Sequence, residues 1–276
     1  MNFMTFSIIV SKTDPAGLNI YSCLKENFPF KETQKVFDSN PILSFKSFDL
    51  VLIEREQVFA DYVNELNSDL FIFASKHRSE QGKPCLTVHP IGNFGKAELG
   101  GKDFELVPAS ALVMKSLLLE LIKKKEEKKL SNYEVCLEVS HHGPFLSKPA
   151  LFIELGSSPD QWKDKKAAEA IAETIISSSV PAKESIVSIG IGGPHYAPNF
   201  TKLELNSSNA FSHIAPKYSL QNFSLRVLNK MLSSTIEPVQ EIVLDAKGLA
   251  QEKQRILSIL KEQSIPFKTT KEKQVM

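Results

Sequence analysis

Short apolar runs alternate with longer amphipathic stretches along most of the chain. Apolar runs that are bounded by turn residues predict short buried strands. In the first half, such runs lie at Phe6–Ser11, Asp49–Glu54, Leu70–Ser75 and Cys85–His89. Asp14 followed by Pro15 predicts a helix that continues to about Phe28, because proline is tolerated in the first turn.

The same alternation continues in the second half. The glycine-rich residues 90–109 predict a loop, and Ser110–Lys129 predicts a long helix that ends in cations, where the helix dipole favours them. Further strands are predicted at Glu134–Val139, Ala150–Leu155, Ile186–Ile191, Phe211–Ile214 and Glu241–Leu244. Further helices are predicted near Asp160–Ser178, Leu220–Leu232 and Gly248–Gln263.

Strands that alternate with helices predict an α/β fold, in which helices flank a mixed, largely parallel sheet. The chain shows no internal repeat, low-complexity tract or linker, so residues 1–276 are predicted to form a single α/β domain. The last residues, 268–276, are polar, and we expect them to be frayed.

Composition and charge narrow the choice of partners. The 276 residues are 42% hydrophobic and 24% charged, which is typical of a soluble globular protein. Subtracting 32 acidic residues from 33 basic ones leaves a net charge of +1. This balance excludes a uniformly basic nucleic-acid coat and a polybasic membrane anchor, but it allows a local basic patch. Arginine is rare, and Arg78 stands out because arginine forms a bidentate fork with phosphate.

The cysteines and the first residues indicate a cytoplasmic setting. Cys23, Cys85 and Cys136 are widely spaced and form no CxxC motif, which argues against a disulfide framework or a zinc ribbon. No apolar run is long enough for a transmembrane helix, and the first residues lack the pattern of a signal peptide. We therefore expect no membrane partner.

Histidines and glycines are concentrated in the middle of the chain. Ten of the 12 glycines lie between Gly82 and Gly193, and all six histidines lie between His77 and His213. Glycine allows the backbone to approach a ligand closely, and histidine binds metals or transfers protons near neutral pH. This part of the chain is therefore predicted to carry the chemistry.

Most of these histidines directly follow predicted strands. The segments that carry them are Ser75–Ser79, His89–Gly95, His141–Pro144 and Gly192–Tyr196. A fifth segment, Phe152–Ser158, places Glu154 inside a strand. Because ligands in open α/β sheets bind outside the carboxyl ends of the strands, we expect these segments to converge on one edge of a parallel sheet.

The residue types suit a catalytic zinc ion. Three or four imidazoles with Glu154 could bind zinc and leave one position open, although no known zinc motif is present. Other interpretations have less support, since the chain has no GxSxG elbow or P-loop and its strand cysteines are expected to be inert. The steps Gly143-Pro144 and Gly193-Pro194 are either ordinary turns or rigid walls that exclude one substrate shape.

These segments, in this order, resemble the D-aminoacyl-tRNA deacylases of the archaeal and plant type. The similar blocks are SKHRS at Lys76, LTVH at His89, Gly92-Asn93, EVSHHGP at Pro144, FIELGSS at Ser158 with Trp162 beyond it, and GGPHYAPNFT from Gly192 to Thr201. HHGP and GGPHYAP are the most specific blocks, and the resemblance covers nearly the whole chain. GGP before His195 departs from the GGG-like pattern that we expect in relatives.

The resemblance implies hydrolysis of the ester between a D-amino acid and tRNA, as in chiral proofreading during translation. It also implies zinc dependence and an α/β core similar to phosphorylase/peptidyl-tRNA hydrolase-like folds. On this basis the expected metal ligands are His89, His141, His142 and His195. His77 and Glu154 are expected either to act in acid–base catalysis or to orient the metal ligands.

The expected partner is the aminoacylated 3′ end of tRNA. The sequence does not determine the oligomeric state, and a monomer is favoured. The residues expected to bind this substrate are Lys76, Arg78, Asn93, Gly143, Pro144, Gly156, Ser157, Gly193, Tyr196 and His213. Lys76 and Arg78 would suit the terminal phosphates, and a pocket that clashes with L side chains would select the D form. Two other hypotheses remain open, a nucleoside or nucleotide phosphorylase-like enzyme and a non-catalytic tRNA-binding module.

Overall fold

The strands of the described residues form two β-sheets, one large and one small. The structure is a computed structural model that describes residues 4–80, 82–178 and 184–274. Its strands are β1 (Phe6–Ser11), β2 (Lys31–Phe37), β3 (Asn40–Phe45), β4 (Phe48–Ile53), β5 (Leu70–Lys76), β6 (Cys85–Pro90), β7 (Glu134–Leu137), β8 (Ala150–Gly156), β9 (Ile186–Ile191), β10 (Asn209–Ala215), β11 (Glu241–Leu244) and β12 (Phe267–Thr269). Its helices are α1 (Pro15–Asn27), α2 (Ala111–Glu127), α3 (Pro159–Trp162), α4 (Lys165–Ser177), α5 (Pro198–Asn206), α6 (Leu225–Ser233), α7 (Lys253–Lys261) and α8 (Thr270–Gln274).

The large sheet is mixed, and the small sheet is parallel. The strand order of the large sheet is β2-β3-β4-β1-β5-β8-β6-β7. Strands β4, β1, β5 and β8 run parallel, whereas β6 pairs antiparallel with β8 and parallel with β7. The small sheet has the order β10-β9-β11-β12, and each of its pairings is parallel. The predicted α/β fold with a mixed, largely parallel sheet is thereby confirmed.

The two faces of the large sheet are covered differently. One core cluster joins alternate residues of the central strands, such as Ile8 and Ile72, to the buried sides of helices α1, α2 and α4. The opposite face, which includes Phe73 and Phe152, packs against loops and short 3-10 helices between residues 57 and 66. Successive side chains of a strand point to opposite faces, so each central strand contributes to both clusters. The helices that flank the large sheet therefore lie mainly on one of its faces.

Asp14 connects the start of α1 to the end of β5. Its Oδ1 accepts a hydrogen bond of 2.8 Å from the backbone N–H of Gly17, which caps the helix, and its Oδ2 accepts one of 2.9 Å from the N–H of Lys76. Gly17 packs so closely that a Cβ there would lie 2.8 Å from the carbonyl oxygen of Ala74. The helix cap thus also holds the backbone where the histidine-bearing segment after β5 begins.

The structure differs from the predicted elements in several places. Helix α6 begins at Leu225 and not at Leu220, and the helix predicted near Asp160–Ser178 is divided into α3 and α4. The hairpin strands β2 and β3 were not predicted, because β2 is mostly exposed and polar and the buried apolar run of β3 has only two residues, Ile42 and Leu43. Helix α5 was not predicted either. The expected fraying of residues 268–276 is wrong up to residue 274, because β12 pairs with β11 and Lys273 lies 3.0 Å from the carboxylate of Glu241. Across the described ranges, no helix combines the length and apolar character needed to cross a bilayer.

A buried ionisable pair lies where α2 meets the small sheet. Lys115 of α2 donates hydrogen bonds of 2.7 and 2.6 Å to the carbonyl oxygens of Ser207 and Asn209. Glu204 of α5 is fully buried, and its Oε2 accepts a hydrogen bond of 2.8 Å from the N–H of Phe211. Burial raises the pKa of Glu204 to about 8, although that hydrogen bond and the charge of Lys115 oppose the shift.

Replacing this glutamate should change how stability depends on pH. A carboxyl group whose pKa is raised by folding binds its proton more tightly in the folded state, so stability falls as the pH rises from 4.5 towards about 8. In Glu204→Gln, the free energy of unfolding, measured by urea denaturation across this range, should fall less steeply than in the wild type. Glu262→Gln, at an exposed position, should retain the wild-type slope. An unchanged slope in Glu204→Gln would contradict the assignment.

Candidate functional site

The candidate site lies on the loop-covered face of the large sheet, where the apolar side chains stop. Along β8, Phe152 is followed on the same face by Glu154, and along β5, Phe73 is followed by Ser75. The register between β6 and β8 places His89 opposite Phe152. Polar groups from three adjacent strands are thereby brought together next to an apolar core.

Glu154 is buried and orients the ring of His77. Its Oε1 accepts a hydrogen bond of 2.6 Å from the hydroxyl of Ser75, and its Oε2 lies 3.2 Å from Nδ1 of His77. Nε2 of His89 lies 3.8 Å from Oε1. Burial alone would raise the pKa of Glu154, but the hydrogen bonds and charges of His77 and His89 hold it well below its usual value. The residue is therefore a carboxylate that fixes its neighbours.

Glu138 follows β7 and is completely buried among imidazole rings. Its Oε1 lies 3.1 Å from Nδ1 of His77, and its Oε2 lies 2.9 Å from Nε2 of His195 and 3.7 Å from Nε2 of His141. These contacts are close but poorly aligned, so neither carboxylate oxygen has a hydrogen-bond partner within the described residues. An ionised carboxylate in this position is costly unless a cation compensates it.

The same kind of hydrogen bond orients the imidazole rings of His89, His141 and His142. In each of them, Nδ1 lies within hydrogen-bond distance of a backbone carbonyl oxygen. The acceptors are the oxygens of Pro90 at 3.1 Å, Val139 at 2.9 Å and Gly143 at 2.6 Å. Because a carbonyl only accepts, Nδ1 carries the proton in the neutral ring and Nε2 keeps its lone pair. This is the orientation that metal-binding histidines usually have.

The protonation of these three histidines differs. Burial lowers the pKa of His142 to about 4 and that of His141 well below its usual value, and the charge of His89 adds to both shifts. Burial also disfavours the charged form of His89, but the hydrogen bond and charge of Glu154 outweigh it and raise the pKa. The carboxylates that attract a proton to His89 would equally stabilise a metal cation.

The small sheet contributes His195 and Tyr196, which follow β9. The carbonyl oxygen of His195 accepts a hydrogen bond of 3.0 Å from the N–H of Val139, which joins the segments after β7 and β9 at the site. The hydroxyl of Tyr196 lies 2.9 Å from Nε2 of His77. Burial disfavours the charged form of His77, but its hydrogen bond with Glu154 and the nearby carboxylate charges raise its pKa overall.

The cluster offers three overlapping triads of metal ligands. They are His89, His141 and His142; Glu138, His141 and His195; and His77, Glu138 and Glu154. Within each triad the ligand atoms lie within 4.8 Å of one another. The unpartnered atoms, Nε2 of His89 and both carboxylate oxygens of Glu138, are those that a metal ion would use. Imidazole nitrogens and carboxylate oxygens are ligands that zinc prefers, so the residues present fit this metal.

A cavity of about 490 Å³ opens onto the cluster, and we call it the large cavity. Val58, Leu99 and Phe152 provide apolar parts of its wall. Lys76 and Arg78 also line it, and no hydrogen bond or ion pair of either side chain is found among the described residues. Two cations are therefore free to meet an anionic substrate beside the cluster.

The structure brings together all six predicted catalytic and metal-binding residues. His77, His89, His141, His142, Glu154 and His195 all belong to the ligand triads. Of the predicted substrate-binding residues, Lys76 and Arg78 line the large cavity, whereas Asn93 lines a smaller cavity of about 230 Å³ on another side of His141. We call this second space the small cavity.

The other predicted substrate-binding residues line neither cavity. They are Gly143, Pro144, Gly156, Ser157, Gly193, Tyr196 and His213. Gly156 instead lies against His77, since a Cβ there would be 2.6 Å from the Cβ of His77. His213 is fully buried, with Nε2 3.3 Å from the carbonyl oxygen of Ser234 and Nδ1 2.9 Å from the hydroxyl of Ser140. The expectation that His213 contacts the substrate is therefore corrected, because it positions the backbone before His141 instead.

The prediction that the histidine-bearing segments meet because their strands run parallel is also wrong in part. His195 follows a strand of a parallel sheet, as expected, but β6 runs antiparallel to β8. The carboxyl ends of β6 and β8 therefore point in opposite directions. His89 and Glu154 meet on one face of the sheet and not beyond the ends of the strands. Glu138 was missed because it belongs to an apolar strand pattern. The signal was a lone carboxylate inside the run Val135–Val139, just before two histidines.

The cysteines take no part in the site. Cys23, Cys85 and Cys136 are buried and form no disulfide. Burial raises the pKa of the Cys23 thiol to about 11 and that of Cys85 to about 12, so neither forms a thiolate near neutral pH. The predicted inertness of the strand cysteines agrees with these shifts.

Comparison with known proteins points to one family. A family model described as D-aminoacyl-tRNA deacylase matches residues 64–268. A D-aminoacyl-tRNA deacylase of Thermococcus onnurineus is 40% identical over 266 residues, which cover 93% of this chain and 96% of that protein. One of Methanocaldococcus jannaschii is 35% identical over 277 residues, covering 96% and 99%. The crystal structure of AF0625, a conserved protein of unknown function, superposes with a TM-score of 0.89 at 28% identity, covering 99% and 97%.

Gly143 should not tolerate any side chain. A Cβ there would lie 2.2 Å from the backbone nitrogen of Gly101 and 2.4 Å from the carbonyl oxygen of Val58. In Gly143→Ala the free energy of unfolding, measured by urea denaturation, should therefore fall by at least about 2 kcal/mol. Gly82→Asn is a suitable control, because no atom of the described residues lies within 4 Å of the Cβ position of Gly82 and asparagine tolerates its φ of 62°. Equal stability of both variants would contradict the packing.

Removing the charge of Glu138 should weaken metal binding. In Glu138→Gln, the Kd for zinc, measured by competition with a chromophoric chelator, should rise by about 10–100-fold. Glu134→Gln is the matched control, because Glu134 is an exposed glutamate at the start of β7, the strand that Glu138 follows. Zinc affinity that is the same in both variants would show that Glu138 does not stabilise a cation.

Proposed function

Because the chain belongs to the D-aminoacyl-tRNA deacylase family, we propose that it hydrolyses the ester bond of D-aminoacyl-tRNA. The products would be the free D-amino acid and tRNA, which amounts to chiral proofreading in translation. The observation that carries the proposal is the cluster of histidines and carboxylates beside the large cavity. A cavity of about 490 Å³ is within the usual range for small-molecule sites, and it would enclose an aminoacyl group.

We propose that zinc is the cofactor and that His89, His141 and His142 hold it. Support comes from their shared tautomer and from the unpartnered Nε2 of His89. When bound, zinc would lower the pKa of a water ligand to about 7 and supply a nucleophile at neutral pH. His195 and Glu138 form the adjacent triad with His141, so they would complete the ligand set or orient it.

His77 and Glu154 are proposed to carry out proton transfer. Glu154 holds Nδ1 of His77, which leaves Nε2, beside the hydroxyl of Tyr196, as the atom that exchanges a proton. A histidine oriented in this way can donate a proton to the ribose oxygen as the ester bond breaks. Ser75 fixes the second oxygen of Glu154, so the carboxylate cannot rotate away.

Selection of the D form is proposed to depend on the apolar wall of the large cavity. Val58 and Leu99 line this wall. The N–H of Gly143 donates a hydrogen bond of 2.9 Å to the carbonyl oxygen of Leu99. The segment after His142 would thus hold Leu99 in its place in the wall without lining the cavity itself. An L side chain directed at this wall would clash, which is how a pocket discriminates between enantiomers.

We further propose that the chain acts as one domain, as a monomer, in the cytoplasm. The main core cluster contains residues of both sheets, including Phe6 of the large sheet and Phe211 of the small one. The buried free cysteines and a tRNA substrate are consistent with a reducing compartment.

Matched D- and L-aminoacyl-tRNA assays test the proposed function. The enzyme should release the D-amino acid and leave the L-aminoacyl ester intact, and a chelator should abolish the release until zinc is restored. In His89→Ala, zinc content measured by mass spectrometry should fall and the rate should drop by at least about 100-fold, because a ligand of the metal that activates water is lost. Glu134→Gln should retain both.

Three results would contradict this function. Full activity of metal-free protein would exclude the zinc mechanism. Phosphate-dependent release of a base without ester cleavage would favour a phosphorylase-like enzyme. Binding of tRNA without hydrolysis of either ester, unchanged in His89→Ala, would favour a non-catalytic binding module.

A further inference from the structure

The small cavity touches the histidine cluster but has no role in the chemistry proposed so far. It lies between the loop 92–98 and the turn 216–222, and it shares His141 with the large cavity. An ester positioned at His141 would therefore have one space on each side. The large cavity is proposed to enclose the aminoacyl half of the ester, and the small cavity is available for the half that belongs to tRNA.

Tyr218 places an exposed aromatic ring at the small cavity. The residue is 59% exposed, and its hydroxyl lies 3.5 Å from Nδ1 of His195. It belongs to a 3-10 helix, Lys217–Asn222, whose first N–H donates a hydrogen bond of 2.8 Å to the carbonyl oxygen of Gly193. The guanidinium of Arg255 donates one of 2.5 Å to the carbonyl oxygen of Leu220. The ring is thus exposed on a firmly held turn, as a stacking platform for a base requires.

Asn222 offers a free carboxamide to the same space. No hydrogen bond of its side chain is found within the part of the chain that the structure describes. Gly95 allows the amide to approach, because a Cβ there would lie 2.9 Å from Nδ2 of Asn222. A carboxamide donates and accepts side by side, which matches the N7 and N6 edge of adenine.

A groove continues from Asn222 along α6. Its volume is about 540 Å³, and Asn222 and Arg226 both line it. Arg255 is bound to Glu252, and Arg55 lies over the ring of Tyr62, but no partner of Arg226 is found among the described residues. A continuous path therefore leads from the histidine cluster, past Tyr218, to an available cation.

We propose that the small cavity binds the terminal adenosine of tRNA, with its base stacked on Tyr218 and hydrogen-bonded to Asn222. The groove beside α6 then holds the preceding nucleotide, and Arg226 contacts its phosphate. This inference rests on the proposed function, since it assigns the two halves of that substrate to two cavities. The terminal phosphates would lie near Arg226, and not near Lys76 and Arg78 as the sequence led us to expect.

The test compares substrates that differ only in the nucleoside. D-phenylalanyl-adenosine, D-phenylalanyl-inosine and D-phenylalanine methyl ester carry the same acyl group. In Tyr218→Ala, the ratio of kcat/KM for the adenosine ester to that for the methyl ester should fall by about tenfold, and Tyr218→Phe should restore it because the ring stacks without the hydroxyl. In Asn222→Ala, the preference for adenosine over inosine should fall by about tenfold.

The phosphate contact has its own readout. In Arg226→Ala, kcat/KM for D-phenylalanyl-tRNA should fall relative to that for the adenosine ester. When the logarithm of kcat/KM for D-phenylalanyl-tRNA is plotted against the logarithm of salt concentration, the slope should be shallower than in the wild type by about 0.7. This is the value for one phosphate contact to a single strand. Asn67→Ala is a control for Asn222→Ala, because Asn67 is exposed and lines neither cavity nor the groove.

The outcomes separate the two proposals. If the wild type hydrolyses none of the D-phenylalanyl esters, the proposed function fails. If it hydrolyses them and both ratios stay at the wild-type value in Tyr218→Ala and Asn222→Ala, only the adenosine site is overturned. If Tyr218→Phe loses as much as Tyr218→Ala, the hydroxyl acts on the reaction and the stacking platform is wrong.

Discussion

Two carboxylates buried among histidines impose the main constraint on this structure. Glu138 and Glu154 lie where their charges cannot be solvated, so positive charge must compensate them. The hydrogen bonds from Ser75 and His77 satisfy Glu154, but Glu138 has close imidazoles and no well-aligned donor among the described residues. A divalent cation would resolve this imbalance, and the surrounding histidines already present their lone pairs.

The architecture can be understood as the means of holding this cluster together. Helices cover one face of the large sheet, which leaves the other face to loops and thus to polar chemistry. The segment after β7 is anchored to the small sheet, because the N–H of Ser140 bonds to the carbonyl oxygen of Ile214 and its hydroxyl lies against His213. The histidine pair that follows is therefore placed by contacts with both sheets.

Two cavities that share one histidine determine how a substrate is oriented in the site. The large cavity has apolar walls and the cations of Lys76 and Arg78, while the small cavity has an exposed tyrosine and the carboxamide of Asn222. A substrate with a hydrophobic or charged acyl part and a planar base would fit them in one orientation only. His141, which lines both, would then lie nearest the bond to be broken.

The sequence by itself determined the residue types of the site and most of the strands and helices. Buried apolar runs, a helix with proline in its first turn and clustered histidines are local signals, and together with the family resemblance they led to the six predicted catalytic and metal-binding residues. Only the tertiary structure decided the direction of β6, because an apolar run looks the same in either orientation. It also decided that His213 is a buried support and that Glu138 joins the cluster, since burial depends on contacts far apart in the chain.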